Sequence, residues 1–246
     1  MYFESNSLPI EGVTAKLWSD RETHFLAISS KQPLYTLNSS IWGGGFGIHH
    51  TLINRQVLKS YNPINPVDDM RYFLASQSLS PDDTAGMLTA AYVRDVGYHT
   101  DSLAWSDQAL KSCSLNVCSW VTAGLSNSAR AGVTSHVVRL YPGTINTIVL
   151  IDGSMTDAAM INAVITATEA KAAMLQDLGI TTLECPDSIA TGTTTDAIII
   201  ACTQRGESYQ YAGTGTKLGY LIGQTVYEAA RISALKYAEV IKKRTI

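Results

Sequence analysis

The chain has 246 residues, of which 46% are hydrophobic and only 16% are charged, and its formal net charge is −3. This composition is typical of a compact globular protein with a large buried core, and it excludes extensive disorder. The small negative charge gives no electrostatic footprint for nucleic acid, and no apolar run is long enough to cross a bilayer. We therefore expect one domain over residues 1–246, located in the cytoplasm, with no nucleic-acid or membrane partner and with a possible homo-oligomeric state.

The four cysteines argue against a zinc site. Their positions, 113, 118, 185 and 202, give no C-x-x-C pair, and no His-x-x-x-His pair lies beside them. The amino terminus also lacks a cationic segment followed by an apolar one, so nothing marks the chain for an oxidising compartment. We predict reduced thiols, no bound metal and no cofactor.

The first half of the chain predicts antiparallel strands and one short helix. Apolar and polar runs alternate over residues 13–40 as in a strand meander, with Lys31-Gln32-Pro33 as one of its turns. Asp68 and Asp69 are placed to open the helix. The strands predicted beyond residue 80 are 87–96, 115–125 and 136–140.

Three successive glycines, Gly43-Gly44-Gly45, follow the meander. Because glycine has no Cβ, such a segment can adopt positive φ and approach another group closely. The residues alone fit a flexible turn as well as a binding loop. His49 and His50 come next, and neighbouring residues of a strand point to opposite faces, so we do not expect the two imidazoles to share a metal ion.

Residues 143–179 form the most clearly patterned stretch. Residues 145–151 are a β-branched and apolar run with the length of a buried strand, and Asp152-Gly153-Ser154 supplies a turn after it. From Thr156 the composition becomes helical, with a capping hydroxyl at the start and Gly179 as the left-handed stop. We predict a strand followed by a helix of about six turns.

That helix is apolar on nearly every side, which predicts burial on more than one face. Asn162, Thr166 and Glu169 form a narrow polar line at spacings of four and three residues. We expect the Glu169 carboxylate inside the protein or in a cleft. There it is either an acid or base with a shifted pKa or one half of an ion pair, and the residue pattern leaves both open.

Three Gly-Thr segments border regular elements: Gly143-Thr144, the run Gly192-Thr193-Thr194-Thr195-Asp196, and Gly213-Thr214-Gly215-Thr216. Such segments present N–H groups and hydroxyls, which suit anions, oxyanions and amides. Turn and capping chemistry is the simpler explanation. A nucleotide-binding module is an alternative, although no Walker spacing is present. A buried strand is predicted at 198–202, and a long terminal helix follows the last segment.

Several of these segments resemble the adenosylcobinamide amidohydrolases of corrinoid salvage. The matching motifs occur in the same order over about residues 40 to 230. They are the three glycines, Asn54 with Val57, D-D-T-A-G-M-L-T-A at 82–90, V-T-A-G-L at 121–125, G-T-I-N at 143–146, T-A-T-E-A-K at 166–171, G-T-T-T-D at 192–196 and G-T-G-T-K-L-G at 213–219.

The resemblance implies hydrolysis of the amide that joins the corrin propionyl arm to aminopropanol, with a corrinoid as the small-molecule partner. Because no G-x-S-x-G, H-E-x-x-H or Cys-His arrangement is visible, we expect a carboxylate base or a hydroxyl nucleophile. A corrin substrate would also let His49 ligate cobalt. Candidate general bases are Glu169 and Asp157, and candidate substrate-binding residues are Gly43, Gly44, Gly45, His49, Asn54, Thr144, Asn146, Thr193, Asp196, Thr214 and Thr216.

Two further function classes fit the same residues. A corrinoid-binding protein without catalysis would keep the same pocket, and a self-processing hydrolase could expose a threonine nucleophile by cleavage before Thr193 or Thr214. For the fold, we predict the α+β class, with mostly antiparallel strands, a central long buried helix and a carboxy-terminal helix packed as sheet and helix layers.

Overall fold

The computed structural model describes residues 3–4, 8–19, 23–106, 112–133 and 144–244. The predicted strand at 136–140 lies outside these residues. The helices are α1 (Pro66–Ser76), α2 (Asp157–Asp177) and α3 (Lys217–Arg244). The strands are β1 (Phe3–Glu4), β2 (Val13–Ser19), β3 (His24–Asn38), β4 (Gly45–Gln56), β5 (Thr84–Thr89), β6 (Gly97–Ser106), β7 (Ser112–Ala123), β8 (Ser128–Ala129), β9 (Ile145–Ile151), β10 (Ser154–Met155), β11 (Gly192–Thr193), β12 (Ala197–Cys202) and β13 (Ser208–Tyr209).

One large, mostly antiparallel sheet folds over on itself because β3 and β4 are long. β3 pairs with β2 through its first half and with β12 through its second half, while β4 pairs with both halves. The pairing is irregular between Ser29 and Leu34, which marks the bend. One layer therefore contains β2, the first half of β3, the second half of β4, and β5. The other contains the first half of β4, the second half of β3, β12, β9, β7 and β6.

Buried apolar clusters hold the layers together, and three of them show the order of the layers. Between the two sheet layers, Leu26 and Met87 belong to the same buried cluster as Trp120 and Ile148. A second cluster joins α2 and α3 to the outer face of β7, β9 and β12, and a third joins α1 to the outer face of β3 and β4. The order is helix, sheet, sheet, helix, which confirms the predicted α+β class with sheet and helix layers.

The predicted strand and helix at 145–179 are confirmed. β9 spans Ile145–Ile151, and the Thr156 hydroxyl caps α2 by accepting a hydrogen bond from the N–H of Ala159 at 3.2 Å. Gly179 adopts φ +62°, as a left-handed stop requires. β9 and β12 are parallel neighbours. The helix α2 connects β9 to β12 along the chain and runs in the direction opposite to both strands. Its carboxy-terminal half therefore lies near their amino-terminal ends.

Two predicted boundaries are wrong. Lys31-Gln32-Pro33 does not turn the chain, because β3 continues through these residues as one strand with an irregular stretch. The strand predicted at 87–96 is β5, which begins at Thr84 and ends at Thr89. A single turn of 3₁₀-helix at Val93–Asp95 then leads into β6. At residues 31–33 a polar, turn-forming local composition is overridden by pairing with distant strands.

Candidate active site

A buried carboxylate organises the amino-terminal ends of β9 and β12. The Oδ1 atom of Asp196 accepts hydrogen bonds from the backbone N–H of Ile145 at 3.0 Å and from the hydroxyl of Thr193. Its Oδ2 atom lies 2.5 Å from Nζ of Lys171, on α2. We call Lys171, Thr193 and Asp196 the Lys–Thr–Asp cluster.

The Lys–Thr–Asp cluster is largely withdrawn from solvent. The side chains of Lys171 and Asp196 are 11% and 18% exposed. Gly192 packs directly against the pair, since a Cβ there would overlap Asp196 Oδ2 and lie 2.9 Å from Lys171 Nζ. Each of the two charges has the other as its partner, and removal of either one would leave a largely buried charge without compensation.

A second network, made of amide and hydroxyl groups, continues from this cluster into the space between the two layers of the sheet. The Thr144 hydroxyl donates to the carbonyl of Thr195 at 2.7 Å and to Oδ1 of Asn146 at 3.2 Å. Asn146 Nδ2 donates to Oδ1 of Asn54 at 2.8 Å, and Asn54 Nδ2 donates to the Thr122 hydroxyl at 2.9 Å. We call Asn54, Thr122 and Asn146 the asparagine network. All three are buried, and these bonds tie the two layers together.

A small cavity of about 90 Å³ opens beside the cluster. Ser39, Thr147 and Thr168 contribute hydroxyl-bearing side chains to its lining, together with Lys171 and Asp196. The space suits a few water molecules or the end of a flexible chain. An ammonium donor and hydroxyl groups around such a space can bind and polarise the carbonyl of an amide.

The three glycines form a packed turn next to this region. Gly43 and Gly45 adopt φ +64° and +85°. The Asn38 side chain holds the turn by donating to the carbonyls of Trp42 at 2.7 Å and Gly43 at 3.2 Å. A Cβ on Gly43 would lie 3.0 Å from Nε2 of His49, so the turn has little spare room there.

Gly44→Val is expected to destabilise the protein. A Cβ at Gly44 would lie 2.6 Å from the carbonyl oxygen of Ser40, a backbone atom that cannot rotate away. We expect a loss of about 1–3 kcal/mol in the free energy of unfolding, measured by urea denaturation. Gly45→Asn is the matched control, because nothing lies within 4 Å of its Cβ position and asparagine tolerates positive φ. Equal stability of the two variants would contradict the close packing.

The two histidines point to opposite sides of β4, as predicted. His49 is buried with its Nδ1 2.8 Å from the Thr36 hydroxyl, whereas His50 Nδ1 lies 2.8 Å from Oδ1 of Asp83. Burial lowers the pKa of His49 below its usual value of 6.5, and the charge of Asp83 partly opposes this effect. An enclosed imidazole of this kind supports the fold of the glycine turn.

The buried His49 predicts sensitivity to acid. The unfolded chain binds a proton near pH 6.5 that the folded imidazole resists, so this contribution to stability is present above that pH and is lost as the pH falls below it. His49→Gln is expected to reduce the pH dependence of the free energy of unfolding between about pH 6.5 and 5. If the free energy of unfolding depends on pH in the same way in the variant and the parent chain, His49 binds a proton as easily in the folded state as in the unfolded state.

Among the described residues, the two candidate general bases, Glu169 and Asp157, make no hydrogen bond with the Lys–Thr–Asp cluster. Glu169 is exposed, so the expectation of a buried carboxylate is wrong, and no ion pair involves it among the described residues. Asp157 accepts a hydrogen bond from the hydroxyl of Tyr35 at 2.7 Å, which raises the pKa of the tyrosine to about 12. The catalytic roles assigned to these two carboxylates stay predictions.

Glu169→Gln is expected to leave the melting temperature unchanged. The side chain is exposed and makes no ion pair with the described residues, so removal of its charge leaves no buried cation behind. Thermal denaturation of the variant beside the parent chain measures this. A loss of several degrees would indicate a partner that the described residues do not include.

The last Gly-Thr segment serves as a helix cap. The Thr216 hydroxyl accepts a hydrogen bond from the N–H of Gly219 at 2.9 Å at the start of α3, and Thr214 is exposed. The segment is joined to α2 at Asn162, whose Oδ1 accepts from the N–H of Ala212 at 2.9 Å. Lys171 is nine residues further along that helix, about 14 Å at 1.5 Å per residue. Thr144 and Thr193 therefore share a site that Thr214 and Thr216 do not reach.

Lys171 and Thr122 are not among the candidate residues that the sequence predicts. They lie inside the motifs T-A-T-E-A-K and V-T-A-G-L, from which the sequence pattern selects Glu169 and no residue, respectively. A signal was present for Lys171. It falls four residues after Ala167 on the apolar face of α2, where a lysine needs a carboxylate partner.

A comparison with known families matches residues 11–242 to the profile described as adenosylcobinamide amidohydrolase. The chain belongs to this family. It is 38% identical over 118 residues to the adenosylcobinamide amidohydrolase of Halobacterium salinarum, which covers 46% of the chain and 47% of that relative. It is 27% identical over 197 residues to the enzyme of that name from Methanosarcina mazei, which covers 76% of the chain and 84% of that relative. The chain thus spans about half the length of the first relative.

Two solved structures show weaker similarity. One is a crystal structure of a protein from Pyrococcus horikoshii OT3, with a TM-score of 0.49, 12% identity and coverage of 92% of this chain and 85% of that one. The other is a Burkholderia β-aminopeptidase, with a TM-score of 0.43, 11% identity and coverage of 91% and 84%.

The thiols, the possible metal ligands and the hydropathy of the helices complete the description of this family member. Cys118, Cys185 and Cys202 are free thiols. Across the described ranges, no three His, Cys, Asp or Glu side chains are grouped so that they could hold a metal ion. In the same part of the chain, no helix has the length and hydropathy that a membrane crossing requires.

Proposed function

We propose that this protein hydrolyses the aminopropanol amide of adenosylcobinamide and releases adenosylcobyric acid at the Lys–Thr–Asp cluster. Membership of the family supports the substrate class. One observation supports the location: four motifs that are far apart in the sequence, around Asn54, Thr122, Asn146 and Asp196, meet in one continuous hydrogen-bond network. Lys171 adds a fifth.

The first step uses groups that already contact each other. Thr193 Oγ1 adds to the carbonyl carbon of the amide, and its proton passes to Asp196, to which the hydroxyl already donates a hydrogen bond. The carbonyl oxygen becomes an oxyanion and accepts a hydrogen bond from Lys171 Nζ. The tetrahedral intermediate then breaks its C–N bond, and the proton on Asp196 moves to the departing amine nitrogen.

The second step releases the acid. A water molecule adds to the threonyl ester, gives its proton to Asp196, and the ester C–O bond breaks so that the proton returns to Thr193. The product is a carboxylic acid, and all protein groups end in their starting state. Each step needs only water and the amide.

The contacts of Asp196 explain why it is placed to act as the base. Thr193 already donates a hydrogen bond to its Oδ1 atom, so the proton has only this short path to travel. Its Oδ2 atom lies 2.5 Å from Nζ of Lys171, so the group that we assign to the oxyanion is in direct contact with the base.

The proposal is tested by incubating the purified chain with adenosylcobinamide and identifying the products by chromatography and mass spectrometry. We expect adenosylcobyric acid and aminopropanol in equal amounts without added metal or nucleotide. A chelator should have no effect. Activity that a chelator removes and zinc restores would contradict the metal-free mechanism, and binding without products would favour a non-catalytic corrinoid-binding protein.

A further inference from the structure

An unusual apolar surface lies next to the candidate active site. Four large aliphatic or aromatic side chains are strongly exposed there: Phe46 at 43%, Ile48 at 65%, Ile161 at 52% and Ile165 at 51%. We call these four residues the apolar shelf. Two come from β4 and two from α2, so the surface is built by elements far apart in the sequence.

The floor of the shelf is the first half of β4, at the edge of its layer. Phe46 pairs with Leu37 of β3, and Ile48 pairs with Tyr35. Paired residues point to the same face of a sheet, and Tyr35 and Leu37 pack against the helix-side core. Phe46 and Ile48 therefore lie on the same face of the sheet as α2 and α3. They are on β4, the strand next to β3.

The wall of the shelf is one face of α2. Tyr35 connects floor and wall, because its ring stacks on Phe46 with centroids 5.8 Å apart and its hydroxyl donates to Asp157. Ile161 and Ile165 follow Asp157 at intervals of four residues, so they continue along the same helix face.

The shelf leads to the small cavity beside the Lys–Thr–Asp cluster. Thr168 is the next residue of this face after Ile165, and it lines the cavity together with Ser39, which follows the end of β3. From Asp157 to Thr168 the helix advances about 16 Å at 1.5 Å per residue. The shelf thus runs alongside β3 for roughly this length and ends at the hydroxyl groups and Lys171.

We propose that the apolar shelf binds the corrin macrocycle of the substrate, an inference that rests on the proposed function. The cavity of about 90 Å³ is far too small for a macrocycle, so only the propionyl arm with its amide can enter it. The ring must then lie on the surface beside the cavity entrance. A broad ring with methyl-bearing faces matches exposed apolar side chains, and its fringe of carboxamides matches Ser39 and Thr168 at the end of the shelf.

The test compares a shelf variant with a control at an exposed isoleucine outside the shelf. The double variant Ile48→Gln with Ile161→Gln removes apolar contact area from floor and wall without touching the cluster. The control is Ile64→Gln, because Ile64 is fully exposed in the loop before α1. We expect the Kd for adenosylcobinamide, measured by equilibrium dialysis, to rise about tenfold or more in the double variant and to stay unchanged in the control.

Hydrolysis measurements separate failure of this inference from failure of the proposed function. The double variant should show a raised KM with a smaller change in kcat. A double variant that binds and hydrolyses the substrate like the parent chain would overturn the shelf alone. A parent chain that neither binds nor hydrolyses it would overturn the proposed function and the shelf with it. A change from dimer to monomer in the double variant at unchanged Kd would assign the surface to a second copy of the chain and overturn the inference.

Discussion

Thr193→Val is expected to lower kcat for adenosylcobinamide by a factor on the order of a hundred or more, because positioned nucleophiles and proton-transfer groups contribute at least this much. Valine has nearly the shape of threonine but no hydroxyl to add to the amide or to give a proton to Asp196. The backbone N–H of Thr193, 3.1 Å from each oxygen of Asp196, remains in place and preserves the turn. The Kd for the corrinoid should change little.

Thr193→Ser provides the matched control, since it restores the hydroxyl and removes only a methyl group. We expect most of the parent kcat in this variant, with melting temperatures of the two variants within a few degrees of each other. Turnover by Thr193→Val at the parent rate would exclude Thr193 as the nucleophile. Loss of turnover in both variants together with a large fall in melting temperature would assign Thr193 a structural role.

Lys171→Met is expected to reduce the free energy of unfolding by about 3–5 kcal/mol, because it leaves the largely buried Asp196 without its cation. The double variant Lys171→Met with Asp196→Asn removes both charges and should recover part of this loss. The free energies are measured by urea denaturation and compared as a double-mutant cycle.

A surface pair gives the control for this cycle. Nη1 of Arg71 lies 3.6 Å from Oδ1 of Asp68, and the two side chains are 61% and 52% exposed. Arg71→Gln should therefore lower the free energy of unfolding by at most about 1 kcal/mol. Equal effects of Arg71→Gln and Lys171→Met would contradict the burial of the Lys171–Asp196 pair. Additive effects of the two changes at Lys171 and Asp196 would show that the pair is not coupled.

The parts of the fold that the sequence predicts well are those with local signals. β9 and α2 follow from an apolar run, a turn, the Thr156 cap and the Gly179 stop, which are all read within a few residues of where they act. The folding of the sheet into two layers depends on β3 pairing with different strands through its two halves. Pairing between distant strands leaves no local pattern, so the polar residues near Pro33 predicted a turn instead.

The site was predicted in part for the same reason. The motifs predict Thr144, Asn146, Thr193 and Asp196 as site residues, and these four lie in one network. The nearly all-round apolar pattern of α2 predicts Glu169 in the interior, but two of those apolar residues, Ile161 and Ile165, face outward. Exposed isoleucines make the buried faces of a helix look wider than they are, and the carboxylate partner of Lys171 lies 25 residues further along the chain.

Release of aminopropanol from adenosylcobinamide is the decisive measurement, made with the parent chain and with Thr193→Val, each purified and assayed without metal or nucleotide. We expect one aminopropanol and one adenosylcobyric acid per substrate with the parent chain, and release at least a hundredfold slower with the variant at similar corrinoid affinity. Unchanged adenosylcobinamide after incubation with the parent chain, or equal release by both proteins, would contradict this expectation.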